Sequence, residues 1–580
     1  MTLTAVDWAV IVLYFALSLA IALVYSRRAG GSSQEFFLSG RAVPWWLAGT
    51  SMVATTFAAD TPLAVTGLTV KYGIAGNWLW WSFVMSGMLT VIFYARLWRR
   101  AGVMTDAEFA EIRYSGRPAA FLRGFRACYL GLAINSIIIG WVTAAMAKIV
   151  GMTLGVGKWE ATVGLFLLTG LYSAISGLWG VIVTDFFQFI LAMVGCIALA
   201  FFALGAVGGM SGLLAALHAR FPDDAPLQMI PLDSPWMPAL TFFAYLAVNW
   251  WASWYPGAEP GGGGYVAQRI MSAKDERHAL LAALWFNIAH YALRPWPWIV
   301  VALVSMVLYP GLADPEAGYV KVMVDHLPPF WRGFLLAAFF AAYMSTISTQ
   351  LNWGASYLVN DVYRRFCARD RTEDHYAAIG RAATVVMMVV SGVVTLYIGS
   401  VEGAWKFLLA IGAGTGLVYL LRWYWWRLNA WSEVAAMAAA LVVSLGAQLG
   451  FGMSADDPRG FALLLLLTTA LTTIAWLAVT FLTPAEPADV LQSFYARVRP
   501  GGPGWRRVVP DAANDAAMGG GLVQWVLGCA VVYLGLFGIG DVVLGRPLRG
   551  GLALLVALAL TVHLVGRVRA GRPVASGVVS

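Results

Sequence analysis

The chain has 580 residues, 60% of them hydrophobic and only 12% charged, with a mean hydropathy of +0.73. A soluble protein of this length could not hide so much apolar surface, so the composition excludes a soluble enzyme or regulator and indicates a polytopic membrane protein. The net charge of +8 does not argue for a nucleic-acid partner, because the basic residues are dispersed among short loops between apolar runs.

Taken in chain order, apolar runs predict helices near 7–25, 46–68, 75–98, 120–150, 158–178, 180–208 and 236–256. Further runs follow near 279–309, 329–362, 377–398, 403–426, 431–450, 460–483, 521–543 and 549–567, fifteen spans in all. The alternation of outer-membrane strands is absent. Every second loop is basic: Arg27, Arg28 and Arg41; then Arg96, Arg99, Arg100, Arg113, Arg117, Arg123 and Arg126; then Arg269, Lys274 and Arg277. The pattern continues with Arg364, Arg365, Arg369, Arg371 and Arg381, and with Arg497, Arg499, Arg506 and Arg507. Positive charge on alternate loops predicts that these are cytoplasmic, with the amino terminus outside and the carboxyl terminus, with Arg567, Arg569 and Arg572, inside a bacterial inner membrane. Arg546 and Arg549 fall on the outer side and run against the pattern. Asp7, with no leading basic residue, predicts a retained first span and not a cleaved signal peptide. Residues 484–520, rich in Pro and Gly, read as the longest linker. The scattered Cys128, Cys196, Cys367 and Cys529 give no disulfide frame and no metal motif.

Two spans carry helix breakers. In GTSMVATTFAADTPLAVTG, from Gly49, the apolar pattern is interrupted by Thr55, Thr56, Asp60 and Thr61 before Pro62, which removes a backbone donor and disfavours helix at the preceding residue. Five spans later, AVNWWASWYPGAEPGGGGYVAQR contains Pro256, Pro260 and glycines 261–264. An odd offset gives successive five-helix blocks opposite orientations, so matched breaks predict an inverted-repeat transporter with its site at the interruptions. The bland alternative is that Pro and Gly merely kink membrane helices. The glycine run lacks the Gly-Lys-Ser/Thr of a phosphate loop.

The ninth span holds AAYMSTISTQLN. Ser345, Ser348 and Thr349 stand at i, i+3 and i+4 on one helical face, and Thr346 lies about 100° round from Ser345. Oxygen donors without sulfur or imidazole suit a hard monovalent cation, although membrane Ser and Thr also bond back to their own helix or glue neighbouring helices. Asp185 and Asp60 are carboxylates in apolar runs and Arg294 lies inside the eighth span, where ionisable groups are costly unless paired or facing a cavity. Asp60 and Arg294 could pair with one another or flank a polar substrate. Trp78, Trp80 and Trp81, and later Trp423, Trp425 and Trp426, read either as interface belts or as substrate platforms.

Together FFLSGR after the first span, YSAISGLWGVIVTDFFQ, and AAYMSTISTQLN followed by NDVYRR resemble the sodium:solute symporter family, over about residues 7–430. The resemblance implies an all-α, leucine-transporter-like fold of two inverted five-helix repeats, here 46–208 and 209–430, within a chain of about 15 membrane helices. Around them would lie a first helix and loop (1–45), two further helices (431–483), a cytoplasmic loop (484–520) and two last helices with a short tail (521–580). By the same resemblance the common sodium site would take backbone carbonyls of Ala54, Phe57 and Ala342 and the hydroxyls of Ser345 and Thr346. A second sodium site, and with it two ions per substrate, would use Asp185, Ser345, Ser348 and Thr349. The substrate would meet Asp60, Asn77, Trp80, Asn249, Trp251, Arg294 and Trp405. The chain departs from the family pattern at Ser176, which replaces a glycine, in the extra PGAEPGGGG, and at Trp405 and Lys406, where sugar carriers place a glutamine. A sugar is therefore not the expected substrate.

The expectation is a sodium-coupled symporter, not an enzyme, that imports a small polar organic solute across the lipid bilayer by alternating access, with sodium as coupling ion and no organic cofactor. A proton-coupled carrier of the same fold and a transporter-like membrane sensor are the alternatives; the sensor would need a signalling domain, and the chain ends at Ser580 soon after its last span. His218, His278, His290, His326, His375 and His563 show no HExxH or paired metal spacing, which argues against a membrane enzyme built on Asp60, Asp185 and a histidine.

Overall fold

The computed structural model describes residues 3–29, 39–232, 234, 236–252, 260–510, 512 and 515–569, with backbone alone for 22–29, 171–180, 515–519 and 568–569. Phe36 to Leu38 of the FFLSGR motif, Pro256 to Glu259 of the insertion, Arg572, and the side chains of Arg27, Arg28, Ser176 and Arg569 therefore lie outside the described residues. Among the described residues the elements are helical, apart from an isolated bridge between Val43 and Ala273.

The site is positioned by nine helices. The first, α1 (Ala5–Ala29), lies against α4 (Lys158–Ala206) and α8 (Trp331–Ser356). Asp7 at its start is a cap for another helix: its Oδ1 accepts from the Phe330 and Gly333 amides, both at 2.9 Å, where α8 begins. A carboxylate there satisfies orphan amides and complements the positive end of the helix dipole. The first broken span is α2 (Trp45–Thr56) and α3 (Asp60–Tyr72). Pro62 falls in the first turn of α3, where a missing amide costs nothing, so the chain leaves helical geometry over the preceding residues, with Phe57 at φ −92° and ψ 73°.

The second broken span begins as α5 (Ala239–Ala247), passes a 3₁₀ turn at Asn249–Trp251 and resumes as α6 (Gly264–Ser272). Gly261 and Gly262 have φ of 80° and 85°, a region open to glycine and strained for other residues. The turn is clamped by the Trp98 Nε1 donating to Gly261 O at 2.8 Å, and the first amide of α6, Gly264 N, donates to the Asp106 carboxylate at 3.1 Å. The helix start that suggested a phosphate loop is thus already occupied by an anion of the chain itself. Next comes α7 (Glu276–Leu308), which widens to a π-helix at Ile288–Leu293 just before Pro295. Pro295 cannot donate into the preceding turn, and the wider turn accommodates it. Last is α9 (Val401–Gly412), bent by 48° from Gly416–Tyr424. Gly416 has no alternative, since a Cβ there would sit 1.5 Å from Trp251 O.

Length and composition single out ten membrane-crossing helices among the described residues, or eleven with the bent pair. The two broken spans expected near 46–68 and 236–256 do not add to that number, because each splits into pieces too short to qualify, and the spans expected near 158–178 and 180–208 fall within the single helical element α4. Two expectations are corrected. Arg113, Arg126 and Arg269, counted among loop charges, are almost wholly buried. The 484–520 segment is no loose linker, since it contains a helix, Ala488–Val498, and packs Trp505 so that its Nε1 donates to Trp423 O at 2.8 Å.

Candidate functional site

The α2–α3 break faces the hydroxyl-bearing turn of α8. Thr346 Oγ1 donates to Thr55 O at 2.8 Å, bonding α8 to the last turn of α2. Ala342 lies one turn earlier on α8 and is buried. Ala54 and Phe57 flank the point where α2 ends, with Phe57 N donating to Ala54 O at 3.0 Å. Thr55 Oγ1 is buried without a hydrogen-bond partner. Oxygen is the only donor type these residues contribute, and a helix C-terminus adds carbonyl partial charge.

The adjoining hydroxyls build a second cluster deeper in the bundle. Ser345 Oγ donates to Asp185 Oδ1 at 2.5 Å, and Ser51 Oγ from α2 donates to Asp185 Oδ2 at 2.5 Å. Arg269 from α6 reaches the same place: its Nη2 donates to Thr349 Oγ1 at 3.0 Å and lies 3.9 Å from Asp185 Oδ2, and its Nε donates to Ser51 Oγ at 3.3 Å. Ser348 bonds back to its own helix, donating to Ser345 O at 3.2 Å. Asp185 and Arg269 are both 0% exposed, so this is a dry cluster.

On the other side of the break, Arg294 Nη1 donates to Val53 O and to Thr56 Oγ1, each at 3.3 Å, which places a cation at the C-terminal end of α2. His290, one turn before Arg294, shares a 2.9 Å hydrogen bond between its Nδ1 and Thr56 Oγ1 and lies edge-on to Trp80. Asp60 heads α3; its Oδ2 accepts from Trp405 Nε1 at 3.3 Å, while its Oδ1 is buried without a hydrogen bond. Asn77 donates to Thr69 Oγ1 at 3.1 Å and to Ile74 O at 3.0 Å, and accepts from Trp80 Nε1 at 2.9 Å, so both its amide ends are used locally. Asn249 donates to Leu79 O at 2.8 Å and Ser82 Oγ at 3.0 Å, which leaves its Oδ1 buried and unpartnered, as is Trp251 Nε1.

Three residues with evident roles in this geometry were not singled out from sequence. In the sequence Ser51 carries no signal of its own within the first broken span, Arg269 counts as a loop charge, and His290 has no metal-ligand spacing. His290 had a signal, a titratable ring one helical turn from Arg294 in an apolar span.

The profile of the sodium:solute symporter family matches residues 36–442. The chain is 24% identical over 474 residues to the sodium/glucose cotransporter of Vibrio parahaemolyticus, covering 76% of this chain and 85% of that one. It is 25% identical over 503 residues to sodium/glucose cotransporter 4 of Danio rerio, covering 77% and 72%. Among solved structures, a Na+-coupled sialic acid symporter in a substrate-bound outward-open state, described as revealing a novel Na+-site, superposes with a TM-score of 0.67 at 19% identity, covering 83% of this chain and 99% of that one. The fold is therefore leucine-transporter-like.

Proposed function

Because the chain belongs to the sodium:solute symporter family, we propose that it is a sodium-coupled secondary transporter that imports a small polar organic solute through a bacterial inner membrane. The observation that carries this reading is the Thr346–Thr55 bond, which brings a hydroxyl of α8 to the carbonyl end of a broken helix. The carbonyls of Ala54, Phe57 and Ala342 and the hydroxyls of Ser345 and Thr346 form an all-oxygen set suited to sodium. An ion held there bridges α2 to α8 and favours whichever state brings the two together, which couples the ion gradient to alternating access. The second candidate cation set is Asp185, Ser345, Ser348 and Thr349, of which Ser348 is turned to its own backbone. The basic loops face the cytoplasm, the amino terminus lies outside and the carboxyl terminus inside, and the inverted repeats span 46–208 and 209–430.

The substrate binds between the breaks. Asp60 Oδ1, Asn249 Oδ1 and Trp251 Nε1 are buried polar atoms that a solute would satisfy, since an orphaned buried group is expensive. Arg294 and Trp405 orient the groups around them, while Asn77 and Trp80, bonded to one another, supply shape. Purified protein screened by thermal shift against sugars, amino acids, carboxylates and nucleosides, in sodium and in potassium at fixed pH, tests the reading: stabilisation by a solute only in sodium supports it, and equal stabilisation in potassium that varies with pH favours a proton-coupled carrier.

A further inference from the structure

We infer that the second cation set is filled by the chain's own Arg269, so that one sodium ion, not two, accompanies each substrate. The inference rests on the sodium reading of the first set. A bound sodium needs the lone pairs of its hydroxyl ligands turned toward it. In this cluster Ser51 and Ser345 spend their protons on Asp185, and lone pairs of Ser51 and Thr349 face the N–H groups of Arg269 at 3.3 and 3.0 Å. The guanidinium thus stands where an ion would stand, and Ser348 is turned away to its own backbone.

Charge leads to the same conclusion. Asp185 and Arg269, 3.9 Å apart, are fully buried and balance one another. A sodium ion added to the pair would leave one uncompensated positive charge in a site closed to bulk solvent, an arrangement with a large desolvation cost. An arginine does not shed its proton to make room. It is also tethered: Nη1 donates to Gln268 Oε1 at 2.8 Å, and the guanidinium lies 5.8 Å from the centre of the Tyr265 ring. The consequence is mechanical as well as stoichiometric. Arg269 belongs to the second broken span and Ser51 to the first, so this resident cation travels with the broken helices, while a sodium ion would be released.

Equilibrium binding of radioactive sodium to the purified full-length protein tests this without knowledge of the substrate. Wild type and Arg269→Lys should bind one ion per chain, and Arg269→Gln, which leaves Asp185 without its cation, should bind two. Two ions in the wild type, or a monodisperse Arg269→Gln that still binds one, would overturn the inference. Should Arg269→Gln fail to fold, the wild type and Asp185→Asn decide: one ion in each upholds it, and two falling to one overturns it. A wild type that binds no sodium would overturn the sodium reading of the first set, a result distinct from these.

Discussion

Two charge clusters sit at opposite ends of the first broken span. At one end Ser51 of α2 joins Asp185 and Arg269; at the other, Lys71 and Tyr72 close α3 against Glu402 of α9. Both tie the first broken span to helices later in the chain, yet they differ in their access to water. Asp185 and Arg269 are wholly buried and meet largely through hydroxyls, whereas Glu402 accepts directly from Lys71 and is paired with Lys406, both at 2.7 Å, and the Lys71 side chain is 40% exposed. A cluster with a wet edge can exchange partners with solvent at little cost, while a dry one cannot. Hydration should therefore part the Lys71 end more readily than the Arg269 end, whose buried charges need one another or a new cation.

The largest effect should come from breaking the dry cluster. Arg269→Ala leaves a buried carboxylate alone and should destabilise the protein by about 3–5 kcal/mol, whereas the neutral pair Asp185→Asn with Arg269→Gln should recover much of that loss. Denaturant unfolding in detergent measures both. A double variant no more stable than Arg269→Ala would show that the cluster does not act as an ion pair.

A smaller effect, specific to ion binding, is expected one residue away. Thr346→Ala removes the hydroxyl at the break but leaves Ser345 on Asp185, so it should raise the sodium concentration for half-maximal thermal stabilisation about tenfold, equivalent to about 1.4 kcal/mol. An unchanged sodium titration would remove Thr346 from the ion site. Between the two clusters lies Arg294, whose Nη1 is shared by Val53 O and Thr56 Oγ1. A lysine keeps the charge but not the fork, so Arg294→Lys should weaken solute binding several-fold while leaving the sodium titration in place. Normal solute affinity in Arg294→Lys, with Arg294→Ala unable to fold, would make Arg294 a structural cap.

What was legible in the sequence was whatever depends on local chemistry. Pro62 and the glycine run announce the breaks because their effects on the backbone are intrinsic, and the hydroxyl face of α8 follows from helical spacing alone. What was hidden depends on partners distant in the chain. Asp185 and Ser51 are 134 residues apart, and nothing local says that they meet. Arg269 was misread because the rule for basic loops counts charges near a helix end without asking which way they face, and Arg269 turns inward while Lys274, five residues on, does not. Asn77 enters the substrate set only through the family resemblance, and in the structure its amide is held by Thr69, Ile74 and Trp80, partners that the resemblance does not reveal.

The smallest effect should be at the wet end, and it separates two lysines that share one carboxylate. Lys71 is partly solvated, and its removal leaves Glu402 with Lys406 at 2.7 Å and with the Tyr72 hydroxyl at 3.2 Å. Lys71→Ala should therefore cost less than about 1 kcal/mol, an amount that shrinks further as salt is added. Lys406 is different: it is 3% exposed, packs its ammonium over the Tyr72 and Phe461 rings, and is the only one of the two that water does not reach easily. Lys406→Ala should cost more than Lys71→Ala, and its cost should be insensitive to salt because the pair is screened by protein and not by solvent. Unfolding of the two variants at low and high choline chloride measures the difference without altering sodium. Equal costs with equal salt dependence would mean that burial does not distinguish the two lysines, and that exposure of Lys71 does not make this end the one that hydration loosens.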